Sequence, residues 1–153
     1  RRCPGHPVQP ERHWEKAEKD LQKSLEISPN QANVLNYLAY SWIEENKNLD
    51  MALEMLEEAS SLREGDGYII DSLGWAHYAK KNFFEAEQFL QKAVEILPLD
   101  PIINDHYADS LWMVNKNIQA RYVWKYVLGL DGVDQKLKDK INQKLIFGIN
   151  NNL

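Results

Sequence analysis

Apolar residues recur at three- and four-residue steps along most of the chain, which is the spacing of one face of an α-helix. In residues 67–80 this face contains Ile69, Leu73 and Ala76, and residues 83–97 repeat the pattern. The pattern predicts an all-α protein with helices near residues 13–27, 32–46, 49–62, 67–80, 83–97, 101–115, 117–129 and 134–147.

The predicted helix boundaries coincide with residues that start or stop helices. Asp100 precedes Pro101, so a capping side chain comes before a proline at the first helical position, where the missing N–H is not needed. The segments Gly65-Asp66-Gly67 and Pro29-Asn30 interrupt the chain at equivalent points.

Small residues return at a fixed interval. Ala17, Ala52, Ala86 and Ala120 are separated by 35, 34 and 34 residues. A period near 34 is typical of stacked helix pairs, and small side chains allow two helix axes to approach closely. We therefore expect each alanine to mark a contact between paired helices.

The residues around this period resemble the tetratricopeptide repeat (TPR). A large residue followed by a small one stands early in each first helix, at Leu38-Ala39, Leu73-Gly74 and Tyr107-Ala108. The usual tyrosine of that helix is replaced by Trp42, His77 and Leu111. The resemblance covers roughly residues 13–130 and implies an α-α superhelix (a TPR solenoid) of about 3.5 repeats with a C-terminal capping helix. Trp42, His77 and Trp124 are expected to lie in its core.

Three segments follow from this interpretation: residues 1–12, 13–132 and 133–153. The first contains Pro4, Pro7 and Pro10 and is expected to be an irregular arm or a vector-derived segment. The second is the repeat array, whose missing first helix suggests a longer array. The third is the capping helix and tail, which has an apolar stripe on one side and a lysine face on the other. We expect the lysine face to contact solvent, and the alternative is that it contacts an anionic membrane surface. That face contains Lys136, Lys138, Lys140 and Lys144.

The resemblance also implies which residues line a concave groove, through fixed positions of each first helix. Carried onto this chain, the candidate partner-binding residues are Asn33, Asn36, Tyr40, Tyr68, Asp71, Trp75, Tyr78, Asp105, Asp109 and Trp112, with Ile43, Glu44, Ala79, Ile102 and Met113 at the remaining groove positions.

These residue types indicate the chemistry of a partner. Amide and carboxylate groups can hydrogen-bond a peptide backbone, and exposed aromatic side chains supply anchors at interfaces. TPRs that hold a terminal carboxylate have Lys and Arg in the groove, whereas this chain has Asp and Asn. We therefore expect a basic or neutral protein segment with apolar anchors. The alternative is that the aromatic side chains only pack against one another or against the next helix of an intact array.

Composition and motifs exclude several other functions. The net charge of −5 makes nucleic acid an unfavourable partner, and no apolar run is long enough to span a membrane. Asp105, His106 and Asp109 are close in sequence, but no third ligand follows at a recognisable metal-site spacing. The sequence predicts no catalytic site, no metal and no cofactor, and hence no enzyme.

Two phrases, DGYIIDSLGWAHY and DPIINDHYADSLW, are similar to the C-terminal arrays of bacterial, especially alphaproteobacterial, multi-TPR proteins. This likeness implies a bacterial scaffold that would be periplasmic or envelope-associated if the full-length protein has an export signal. The predicted function is a protein-interaction module that binds a partner segment in its groove. The alternative is a spacer or self-association segment, in which the exposed end repeat docks onto another copy.

Overall fold

A computed structural model describes residues 10–150 of the chain. Within that range the chain is all α-helical, and its helices are α1 (Pro10–Ile27), α2 (Ala32–Glu44), α3 (Leu49–Leu62), α4 (Gly67–Ala79), α5 (Phe83–Ile96), α6 (Pro101–Met113), α7 (Asn117–Leu128) and α8 (Gln135–Phe147).

The predicted helices are confirmed, and the last seven begin within one residue of the expected positions. The first helix differs, because it begins at Pro10 rather than after the expected arm of residues 1–12. Proline is compatible with a first helical position, so the last proline of that segment starts α1. The rest of the arm lies outside the described residues.

Consecutive helices pack as antiparallel pairs, α2 with α3, α4 with α5 and α6 with α7. The first members of the pairs also contact one another, α2 with α4 and α4 with α6, and so form an inner layer. Helices α1, α3, α5 and α7 form the outer layer, and α8 packs against α7 at the C-terminal end. This arrangement is the expected α-α superhelix of the TPR type.

The small residues lie where the helices touch. Ala52, Ala86 and Ala120 are completely buried. At Gly74 of α4, a Cβ atom would lie 2.6 Å from Leu90 Cγ of α5, closer than carbon atoms pack. The period of the sequence is therefore a period of close helix contacts, as expected.

The hairpin turns within the three pairs have the same geometry. Asn46, Lys81 and Asn115 follow the inner helices and all have left-handed backbones, with φ between 55° and 66°. After each, the next N–H bonds a carbonyl five residues earlier, as in Lys47 to Trp42, which is the helix-ending motif that uses a left-handed residue. The three pairs therefore turn from inner to outer helix in the same way, and the inner helices, which contact one another, form the concave side of the superhelix.

Candidate functional site

The concave surface contains a cavity of about 640 Å³ over the inner helices α2, α4 and α6. We call it the N-terminal cavity. Half of the predicted groove residues line it, namely Asn33, Asn36, Tyr40, Tyr68 and Asp71; its other lining residues are Tyr37, Arg63, Asp66, Ile69, Ser72, Asp100, Ile102 and Ile103.

Large apolar side chains are exposed in this cavity. Tyr37 is 59% exposed, Tyr68 56% and Ile102 45%. Beside them, the Oδ1 atom of Asn36 is buried and accepts no hydrogen bond within the described part of the chain. The Oδ1 atom of Asn33 differs, because it accepts a 2.6 Å bond from Arg63. The cavity thus combines exposed apolar side chains with a buried amide oxygen that has no partner among the described residues.

Asp71, expected to face a partner, is instead paired within the chain. Its Oδ1 atom lies 2.9 Å from Nδ1 of His106, and both side chains are buried. Burial alone would lower the pKa of His106, but the Asp71 carboxylate outweighs it and holds that pKa above the usual value. The carboxylate therefore joins α4 to α6 and is not open to a partner.

The ring of His106 also ends an aromatic stack on the concave face. It lies 3.8 Å from the Trp75 ring, centre to centre and nearly parallel, and Trp75 stacks on Tyr78 at 4.6 Å. Burial raises the pKa of the Tyr78 hydroxyl, so this residue stays neutral. Trp75 and Tyr78 are half-buried, so each ring is partly packed within the chain and partly exposed.

Asp105 and Asp109 bind a lysine from α8. Lys144 Nζ lies 3.0 Å from Asp105 Oδ1 and 2.8 Å from Asp109 Oδ1, and Trp124 donates to Asp109 from Nε1. Burial and the neighbouring Asp105 carboxylate raise the pKa of Asp109 to about 6, although Lys144 opposes the rise. The expectation that Lys144 lies on a solvent face was wrong, because its side chain is only 11% exposed.

The end of α8 covers Trp112. The indole Nε1 of Trp112 donates to the Ile149 carbonyl at 3.2 Å, and Arg121 lies over its ring and donates to the Leu145 carbonyl. Gly148 has φ +69°, and a Cβ there would lie 2.2 Å from the Trp112 ring. Only glycine can therefore make this turn so close to the ring.

The ten predicted groove residues thus fall into two groups. Asn33, Asn36, Tyr40 and Tyr68 line the N-terminal cavity and form the first group. In the second group the side chains make contacts within the chain, although Asp71 also lies at the cavity wall: Asp71, Trp75, Tyr78, Asp105, Asp109 and Trp112. An open ladder of carboxylates, the feature expected to repel a terminal carboxylate, is therefore absent from the described residues.

Sequence reasoning missed Tyr37 as a cavity residue and His106 and Lys144 as the partners of the carboxylates. A signal for the last two was present: Asp71 to His106 and Asp109 to Lys144 are both 35 residues, one repeat period. The residues expected in the core are buried or half-buried. Trp42 and Trp124 are buried, and His77 is half-buried against the Phe89 ring.

Other site chemistry is sparse between residues 10 and 150. No three His, Cys, Asp or Glu side chains there are grouped so that they could hold a metal ion. None of the helices in that range is long and apolar enough to cross a membrane.

Comparisons with known proteins indicate similarity to tetratricopeptide-repeat proteins, both in sequence and in fold. Residues 68–97 match the tetratricopeptide-repeat family profile. A TPR repeat-containing protein of Pseudomonas aeruginosa is 32% identical over 81 residues, which are 53% of this chain and only 14% of that protein. This chain therefore spans a small part of that relative's length.

Solved structures are similar over most of the chain. A thermophilic TPR protein of Thermus thermophilus has a TM-score of 0.73 and 16% identity, over 85% of this chain and 72% of that one. MamA from AMB-1 has a TM-score of 0.62 and 17% identity, over 82% of this chain and 70% of that one. At such low identity the likeness shows the fold alone.

Proposed function

We propose that the N-terminal cavity of this tetratricopeptide-repeat chain binds a segment of a partner protein. The observation that carries the proposal is the group of exposed apolar side chains beside a buried amide oxygen without an internal partner, formed by Tyr37, Tyr68, Ile102 and Asn36.

The apolar side chains would supply most of the binding free energy. Tyrosine presents a large rigid surface with a polar end, and such residues dominate many interfaces. Tyr68 is more than half exposed, so a guest side chain packed against it would remove its ring from water. Tyr37 already contacts the Trp14 ring, at 6.4 Å between centres, which helps to hold it in place for a guest.

The polar groups would orient the guest. The Asn36 amide, whose buried oxygen has no partner among the described residues, would turn toward the guest and accept an N–H from its backbone. Asp66 and Asp100 line the same cavity and favour a basic or neutral guest over an acidic one. We propose a guest with apolar anchors and no carboxylate at this position.

The proposal can be tested with short peptides selected from a random displayed library on the purified chain. Tyr68→Ala should weaken binding of the selected peptides at least about fivefold, measured by fluorescence anisotropy, because removal of an interface anchor costs more than about 1 kcal/mol. The matched control is Tyr122→Ala on the outer helix α7, where the side chain is 70% exposed. Circular dichroism of both variants checks that the helices persist.

Two results would contradict the proposal: peptides that bind equally well without the Tyr68 ring, or equal losses in both variants. The spacer or self-association alternative is examined separately by light scattering over a range of concentrations. A dimer fraction that increases with protein concentration, together with the absence of any peptide whose binding depends on Tyr68, would favour the alternative.

A further inference from the structure

The three tyrosines of the N-terminal cavity lie on two neighbouring inner helices. Tyr37 and Tyr40 belong to α2 and Tyr68 belongs to α4, and the rings of Tyr37 and Tyr68 are more than half exposed. On the third inner helix, α6, the exposed side chain of Ile102 lines the same cavity. Each of these three helices therefore contributes an apolar contact, and two of the three contacts are aromatic.

The charged side chains of this cavity already have partners within the chain. Asp66 and Asp100 accept backbone N–H groups as helix caps, and the positive ends of those helices partly offset such carboxylates. Asp71 forms the buried pair described above, and Arg63 donates to Asn33. A charged guest group would lose its hydration there without gaining an unpaired opposite charge among the described residues. The cavity therefore favours an uncharged guest.

The Asn36 amide favours an extended guest over a helical one. Its buried oxygen has no partner among the described residues, so a guest that satisfies it must bring a free N–H. A helical guest uses its backbone N–H groups internally beyond the first turn. A single β-strand and a polyproline II helix both keep these groups free.

The spacing of the inner helices distinguishes between these two extended forms. Neighbouring packed helices lie about 8–10 Å apart. A polyproline II helix has three residues per turn and rises about 3.1 Å per residue, so every third residue lies on the same side, about 9 Å from the last. Residues on one side of a β-strand are only about 7 Å apart. A polyproline II segment that crosses the inner layer can therefore place successive same-side residues over α2, α4 and α6.

We propose that the guest of the N-terminal cavity is an uncharged, proline-rich segment in the polyproline II conformation, with a proline at every third residue. The prolines would lie over the tyrosines of α2, over Tyr68 and over Ile102, since such segments dock into grooves lined by aromatic residues. A residue between two prolines would donate its N–H to Asn36, because proline has none. Such a segment is largely pre-formed, so its binding loses less conformational entropy. This inference rests on the proposed function and adds the chemical class and conformation of the guest.

The first test compares two blocked, fluorescein-labelled peptides of the same composition. One consists of three Pro-Ala-Leu repeats, and in the other the same residues are reordered so that the prolines stand two residues apart. Fluorescence anisotropy should show at least about tenfold tighter binding of the repeat peptide, which corresponds to about 1.4 kcal/mol. Tyr68→Ala should remove most of this preference, and the control Tyr122→Ala on α7 should leave it unchanged. Equal binding of the two peptides, or no binding of either, would overturn the inference.

A blocked peptide of nine prolines tests the hydrogen bond to Asn36, since it adopts the same conformation but has no proline N–H to donate. The ratio of the two affinities, repeat peptide over nine prolines, should fall about fivefold between the unchanged chain and Asn36→Leu, because one hydrogen bond is lost. Circular dichroism checks that Asn36→Leu keeps its helices. A ratio that is the same in both proteins would show that Asn36 does not accept the N–H.

The displayed library separates this inference from the proposed function. If no selected peptide depends on Tyr68, the proposed function fails and the inference fails with it. If peptides depend on Tyr68 but lack prolines at a spacing of three residues, the inference alone is wrong. It is also wrong if their affinity falls steeply when salt is raised from about 0.1 M to about 1 M, because screening weakens only contacts between charges.

Discussion

Replacing Lys144 by methionine should destabilise the C-terminal end of the array. The substitution keeps a long apolar side chain but removes the cation that lies between Asp105 and Asp109. Both carboxylates are almost fully buried, with side-chain exposures of 3% and 6%. Without the ammonium group, two like charges would remain close together away from water.

The expected cost follows from this geometry. Removing one partner of a buried ion pair typically destabilises a protein by about 3–5 kcal/mol. The Lys144 side chain is 11% exposed, so some water can replace it, and we expect the lower end, about 3 kcal/mol. Because α8 is the last described helix and packs mainly on α7, part of the loss should appear as detachment of α8.

Urea unfolding gives the total change, and hydrogen exchange of α8 amides shows where it occurs. The matched control is Lys140→Met, one turn earlier in the same helix at an exposed residue, which should change stability by less than about 0.5 kcal/mol. A Lys144→Met variant as stable as this control would refute the claim that Lys144 fixes α8 to the concave face.

The loss of stability caused by Lys144→Met should also depend on pH. The pKa of Asp109 is about 6 in the folded chain, above its ordinary 3.8, so protonation favours the folded state and this contribution fades as the pH rises through 6. Without Lys144 that pKa should rise further, since the lysine lowers it. The destabilisation by Lys144→Met should therefore be largest above neutral pH and should shrink toward pH 5; a loss that grows on acidification would contradict this assignment.

Two further substitutions test the packing and the buried pair. Ala86→Leu places a large side chain at a fully buried contact between α4 and α5 and should cost about 1–3 kcal/mol in thermal unfolding; an unchanged melting temperature would contradict the repeat register. His106→Phe keeps a ring against Trp75 but leaves the Asp71 carboxylate buried without its partner, and urea unfolding should show a loss of about 3 kcal/mol. Adding Asp71→Leu should recover most of that loss, and failure to recover would show that the ion pair is not its cause.

The fold could be predicted from the sequence because its signals are local or periodic. The Asp100–Pro101 cap is visible in two adjacent residues, and the structure shows the Asp100 side chain accepting the Ile103 N–H. The alanines mark contacts between helices that follow one another directly. Stacking of such units requires no contact distant in sequence.

The state of the carboxylates could not be predicted in the same way. Whether Asp71 faces a guest or a neighbour depends on which side chain the next inner helix places opposite it, and His106 is 35 residues away. His106 and Asp105 are adjacent, yet they pair in opposite directions, with Asp71 of α4 and Lys144 of α8. The same limit applies to Trp112, which is covered by a turn at Gly148 that no local pattern indicates.

The most direct test of the central claim is the mapping of peptide-induced amide chemical-shift changes on the isotope-labelled chain, using a peptide selected from the displayed library. A guest in the N-terminal cavity should produce its largest changes at Asn36, Tyr68 and Ile102, and those of α3, α5 and α7 should be small. Largest changes on these outer helices would contradict the account.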